Sequence, residues 1–101
     1  IDSSLYIHKV PFRYEDTLAL DDIILYPDFT IRHPKTGEYF YWEHFGLMDD
    51  PVYCKNTFSK LQLYTTNNIV PDINLITTYE TRERPLSMEK IERIITEHFI
   101  E

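Results

Sequence analysis

The sequence predicts an α/β domain built on a mixed sheet, and three segments carry that prediction. Residues 26–32 and 38–45 are rich in β-branched and aromatic side chains. They flank His33-Pro34-Lys35-Thr36-Gly37, whose Pro and Gly are turn chemistry, so the whole reads as a β-hairpin with a five-residue loop. Asp49-Asp50-Pro51 opens a helix: an aspartate cap precedes a proline in the first turn, where its missing N–H does no harm. That helix is expected to run to about Thr66. Ile73-Asn74-Leu75-Ile76-Thr77-Thr78 then reads as a buried strand. A helix crossing over between two strands implies a right-handed βαβ unit, which makes the sheet partly parallel.

The remaining elements follow in chain order. Residues 1–9 suit the end of a helix. Phe12-Arg13-Tyr14-Glu15 reads as an extended strand, and residues 18–24 as a loop or a second edge strand. Asn67-Asn68 supplies the residue tolerant of left-handed backbone that closes a helix. Residues 80–84 form a charged loop, and Ser87 caps a last helix. In that helix Ile91, Ile94, Ile95, His98 and Phe99 make one apolar stripe at helical spacing. The expected order is β-β-β-α-β-α.

Composition bounds the answer further. A chain of 101 residues supports one domain and one modest core. With 43% hydrophobic and 15% aromatic residues it is globular rather than disordered. The single cysteine, Cys54, excludes an internal disulfide and a cysteine-based zinc site, and its place on the helix reads as packing against the sheet. No apolar run approaches the ~20 residues of a membrane span, and no signal-peptide pattern opens the chain. The expected setting is soluble and cytoplasmic. The start at Ile1 reads as a fragment of a longer protein. A net charge of −7 argues against this domain holding nucleic acid alone, because such binders carry a basic patch.

Two carboxylates stand out against this background. Asp28 opens one strand of the hairpin and Glu43 lies near the end of the other, both in segments apolar enough to be buried. A buried carboxylate must be paired, hydrogen-bonded or bound to a metal. Alternation puts Tyr39, Tyr41, Glu43 and Phe45 on one face, with Phe40, Trp42 and His44 on the other. Trp42 is therefore expected in the core beneath the other helix. Asp28, Thr30 and Arg32 share a face of the partner strand. Whether Asp28 and Glu43 share a face with each other depends on register, which alternation alone leaves open. On the following helix Tyr53, Thr57, Lys60 and Tyr64 form one stripe beside a second stripe of Cys54, Phe58 and Leu61. One amine, that of Lys60, is thereby aimed toward the carboxylates.

Tyr26-Pro27-Asp28 followed by Trp42-Glu43-His44, with a Lys60-x-x-x-Tyr64 helix beyond, resembles the motif of the PD-(D/E)xK nuclease superfamily. The β-β-β-α-β order matches that family's core over nearly the whole chain. The resemblance implies a restriction-endonuclease-like fold, a mixed four-stranded sheet flanked by helices, with the first helix largely missing from this chain. It also implies that Asp28 and Glu43 bind Mg²⁺ or Mn²⁺, with the main-chain carbonyl of His44 as a further ligand. Such a metal would activate water for in-line attack on a phosphodiester. By the same resemblance Lys60 and Tyr64 sit where some members carry a Gln-x-x-x-Tyr motif that helps hold substrate. The partners implied are nucleic acid, DNA first, and other domains of a larger DNA-processing protein.

Two departures from the motif are visible. The family's lysine, two residues after the second acid, is Phe45 here, and Lys60 is the amine that can replace it. The family's first-helix glutamate has no counterpart; Glu15 reads as strand edge. His8, His33, His44 and His98 have no zinc spacing, and Asp49 and Asp50 read as capping residues. Two function classes stand: a metal-dependent nuclease using Asp28, Glu43 and Lys60, or a catalytically inactive relative that binds or assembles.

Overall fold

The computed structural model describes residues 1–20 and 22–101; the expectation of a loop or edge strand over residues 18–24 touches Asp21, which lies outside the described residues. The elements are α1 (Asp2–Ile7), β1 (Phe12–Tyr14), β2 (Leu18–Leu20), β3 (Ile23–Leu25), β4 (Phe29–Arg32), β5 (Tyr39–Phe45), α2 (Pro51–Thr66), β6 (Leu75–Tyr79) and α3 (Met88–Ile95), which runs on into a π-helical turn over Thr96–Ile100. Four strands form one mixed sheet in the order β1-β4-β5-β6, antiparallel except for the parallel pair β5 and β6. The domain is thus α/β with a mixed four-stranded sheet and helices on both faces.

Each face of the sheet buries its own cluster. Phe29, Ile31, Trp42 and Ile76 point one way, onto Leu5 of α1, Val10, and Ile91, Ile95 and Phe99 of the last helix. The predicted stripe on α3 is what fills this layer. Tyr41 and Leu75 point the other way, onto Leu61 and Tyr64 of α2, Ile69, and Leu18, Leu20 and Leu25 of the β2–β3 hairpin. Alternation along each strand separates the two clusters.

The hairpin between β4 and β5 is present, with β4 starting at Phe29 instead of Tyr26 and β5 starting one residue late, at Tyr39. Its loop closes through the His33 amide on the Glu38 carbonyl at 2.8 Å and the Gly37 amide on the His33 carbonyl at 2.9 Å. Gly37 has φ +75°, the left-handed region where a side chain is strained. Residues 18–20 and 23–25 differ from the expectation. They build a separate two-stranded hairpin, β2 and β3, which covers the sheet instead of extending its edge. Their leucines lie at alternate positions and find apolar cover only on the Tyr41 face. Glu15 is also displaced from its expected place: it lies just past β1 with φ +50°, and its amide donates to the Asp28 carbonyl at 3.0 Å. The last strand starts at Leu75, because Pro71 and the left-handed Asp72 occupy a turn before it.

The helix α2 starts where its caps dictate. Asp50 Oδ1 accepts from the Val52 amide at 2.9 Å and the Tyr53 amide at 3.2 Å, and Pro51 fills the first turn. At the other end Asn68, with φ +65°, turns the chain. Asp50→Ala is expected to cost about 1 kcal/mol, measurable as a drop in the urea midpoint with unchanged m-value. An unchanged midpoint would mean the cap contributes nothing. Ser87 caps α3 in the same manner, accepting from the Lys90 amide at 3.2 Å. Among the described residues no helix is long and apolar enough to cross a membrane.

Candidate active site

Register settles what alternation left open. Phe29 stands opposite Trp42, and Thr30 opposite Tyr41. Carried back one residue, the same register sets Asp28 opposite Glu43, on the face covered by α2. The backbone ties the two acids together reciprocally. The Asp28 amide donates to Glu43 Oε1 at 3.2 Å, and the His44 amide donates to Asp28 Oδ2 at 2.7 Å. Pro27, which would stand opposite His44, has no N–H, so it offers the His44 carbonyl no ladder hydrogen bond.

Glu43 is 2% exposed, the most deeply buried acid of the site. Burial pushes its carboxyl above the ordinary glutamate range; Lys60 pulls it back down, and Asp28 adds to the rise. The stripe on α2 supplies the compensation. Lys60 Nζ forms an ion pair with Glu43 Oε2, and the Tyr64 hydroxyl donates to the same oxygen at 3.1 Å. Three protein donors on one carboxylate explain how it stays in a buried layer. The phenol of Tyr64 is itself raised well above its normal range, first by burial and then by Glu43, so it remains a donor. The other stripe residues close the site's flank. Thr57 is buried, and the Tyr53 hydroxyl accepts from the Gly46 amide at 3.1 Å.

The structure thus brings Asp28, Glu43, Lys60 and Tyr64 together, but it changes the role open to Tyr64. Expected to help hold substrate, Tyr64 is fully buried, with its hydroxyl committed to Glu43. Through that hydrogen bond Tyr64 positions the acid in this structure. Phe45 occupies the motif position of the missing lysine and is 4% exposed, with its ring stacked on Tyr79 at 5.5 Å. In the second stripe on α2, Cys54 and Leu61 are half-buried and Phe58 is largely exposed. His98 packs against Phe40 and Phe99, with Nδ1 at 2.9 Å from the Ile94 carbonyl, which suits its expected packing role.

Spacing within one segment did not disclose a second network, on the opposite face of β5. Trp42 Nε1 donates to Thr78 Oγ1 at 3.1 Å, and that hydroxyl lies 2.8 Å from His44 Nδ1. His44 Nε2 is 2.7 Å from Glu80 Oε1, and Glu80 Oε2 accepts from the Leu86 amide at 3.2 Å. The contact with His44 and then the Leu86 amide lower the Glu80 carboxyl below its ordinary range. With the indole donating, the Thr78 hydrogen is free to point at Nδ1, which leaves the neutral ring's proton on Nε2. This chain fixes the side chain of the residue whose amide holds Asp28. The parallel register that pairs His44 with Thr78 was the missing signal.

Among the described residues no three His, Cys, Asp or Glu side chains cluster closely enough to hold a metal ion. The expected set is different: two carboxylates and a main-chain carbonyl. These are hard oxygen donors, the kind that suits Mg²⁺ or Mn²⁺. Asp28 Oδ1 has no protein donor among the described residues, and Glu43 keeps part of its lone-pair capacity. The donor chemistry fits such an ion, with Lys60 competing for Glu43. Comparison with protein-family models, curated proteins and solved structures finds no match to this chain.

Proposed function

We propose that this domain is a metal-dependent nuclease module with a restriction-endonuclease-like core. In this reading Asp28, Glu43 and the His44 carbonyl hold Mg²⁺ or Mn²⁺, and Lys60 supplies the amine. The observation that carries the reading is the pairing of Asp28 with Glu43 on one sheet face under a lysine from α2. A bound divalent ion lowers the pKa of water and polarises a phosphoryl oxygen. The residues of the chain do the rest. The His44 amide orients Asp28, and Tyr64 with the Asp28 amide orients Glu43. Lys60, a third exposed, can leave Glu43 to meet a developing negative charge. Nucleic acid, DNA first, is the substrate class; other domains of a larger protein would supply most of the affinity, in keeping with the net charge of −7.

A second reading has its own support. Phe45 is packed as core where the motif lysine would stand, and Lys60 already neutralises Glu43 as a cation would. Under it the domain is an inactive relative that binds or assembles, and the acids serve structure. Mn²⁺ titration followed by electron paramagnetic resonance separates the two. The nuclease reading expects binding that Asp28→Ala abolishes, together with Mn²⁺-dependent cleavage of DNA that Lys60→Ala reduces by on the order of a hundredfold. Absence of Mn²⁺ binding would sink it.

A further inference from the structure

The face of β4 that carries Asp28 continues through Thr30 to Arg32. Arg13 of β1 stands opposite Thr30, and Tyr39 of β5 opposite Arg32. The two arginines are therefore diagonal neighbours on adjacent strands, with Cα atoms about 7–8 Å apart. Together with Pro11 and Phe12 these four residues line a cleft of about 220 Å³. Two of the chain's five arginines meet here, although the net charge is −7.

Three features suit the cleft to an anion. Among the described residues Arg32 makes no ion pair, and its guanidinium lies against the open side of Gly37. Among the described residues Arg13 is held only by Asp16 at 3.2 Å, a surface pair of arginine 79% exposed, which a bound anion can replace at a cost below about 1 kcal/mol. Thr30 Oγ1 is the one buried side-chain polar atom among the described residues without a hydrogen-bond partner. A buried hydroxyl left unpaired is costly, and because Thr30 lines the cleft, a small rotation toward it would let a ligand oxygen satisfy the hydroxyl. An adjoining cleft shares Pro11 and Arg32 and brings Lys35 close by.

We propose that Arg13, Arg32 and Thr30 form a phosphate-binding cleft that takes a backbone phosphate of nucleic acid. Two forked guanidinium groups match phosphate oxygens better than ammonium groups do, and the hydroxyl adds one directed donor. Nucleic acid is the preferred source of that phosphate because Asp28 lies four residues back on the same strand face, a span of about 13 Å. The assignment of the ligand as nucleic acid rests on the nuclease reading above; the anion chemistry of the cleft does not.

The test uses the full chain in EDTA, so that no divalent metal takes part. Fluorescence anisotropy with a fluorescein-labelled oligothymidylate is measured over a range of KCl concentrations. Arg32→Gln is expected to weaken binding on the order of tenfold at low salt. Each arginine removed should lower the salt slope by about 0.7. Arg32→Lys should recover part of the loss, and Thr30→Val should weaken binding without changing the slope. Mn²⁺ affinity should be the same in all of these variants, which separates the cleft from the metal site. Arginine-dependent binding persisting in a chain that takes no Mn²⁺ would support the cleft and dismiss the nuclease. Oligonucleotide affinity unchanged in the double variant Arg13→Gln/Arg32→Gln would overturn the proposal. Inorganic phosphate bound through Arg32, with no oligonucleotide binding, would overturn it too by assigning the cleft to a free anion.

Discussion

Lys60→Met is expected to lower stability by about 2–3 kcal/mol at neutral to alkaline pH and by far less in acid. Removing one partner of a buried pair leaves the other charge uncompensated, which typically costs about 3–5 kcal/mol. The lower figure is appropriate because Lys60 is 34% exposed while Glu43 is 2% exposed, so solvent already screens the pair. The pH dependence follows from the direction in which burial moves Glu43. Its carboxyl is raised in the folded protein even with Lys60 present, and losing the amine raises it further. A carboxyl whose folded pKa exceeds its unfolded value binds more protons when folded. Its stabilising contribution is complete below the unfolded value and is lost as pH rises through the folded one. The gap between wild type and variant should therefore be small at about pH 4 and wide at about pH 8, as read by urea denaturation. A gap equal at both would show that Lys60 does not compensate Glu43.

The same variant bears on function. In the nuclease reading Lys60 is needed for cleavage yet competes with the metal for Glu43. In the inactive reading Lys60 is simply a fixed counterion. Loss of stability in a protein that neither binds Mn²⁺ nor cleaves DNA, with or without Lys60, would fit only the second.

Much of this site was legible in the sequence, and the parts that were not share one cause. The stripe of Tyr53, Thr57, Lys60 and Tyr64 follows from helical spacing alone, and Lys60 does reach Glu43. The cap at Asp50 and the parallel crossover into β6 were readable for similar reasons, because each is local or set by chain order. What spacing could not supply was the pairing of distant strands. A slip of one residue in the β4–β5 register would have sent Asp28 and Glu43 to opposite faces. The pairing of β1 with β4 brings Arg13 beside Arg32, and no local pattern in either strand encodes it. The burial of Tyr64 depends on how the β2–β3 hairpin folds over the sheet, and that segment read only as a loop or edge.

Trp42→Ala should be among the most damaging single changes in the chain, costing about 3–5 kcal/mol. Trp42 has no exposed surface and sits in the cluster between the sheet and the helices α1 and α3. Truncation opens a cavity and also removes the indole donor from the fully buried Thr78 hydroxyl, which keeps His44 as its partner. Small domains have about 5–15 kcal/mol to lose in total, so the variant should be marginal at room temperature. Trp42→Phe separates the two effects. It fills most of the volume and removes only the N–H, so it should cost nearer to 1 kcal/mol for the hydrogen bond, plus a smaller packing loss. The hydrogen bond also leads to the site, since Thr78 holds the His44 ring and the His44 amide holds Asp28. In Trp42→Phe the His44 ring should lose part of its fixed orientation, seen as faster exchange of its Nε2 proton in the NMR spectrum. Unchanged exchange would uncouple the indole from His44, leaving Trp42 with a packing role alone. Faster exchange together with weaker Mn²⁺ binding would instead tie the core layer to the carboxylates across the thickness of β5.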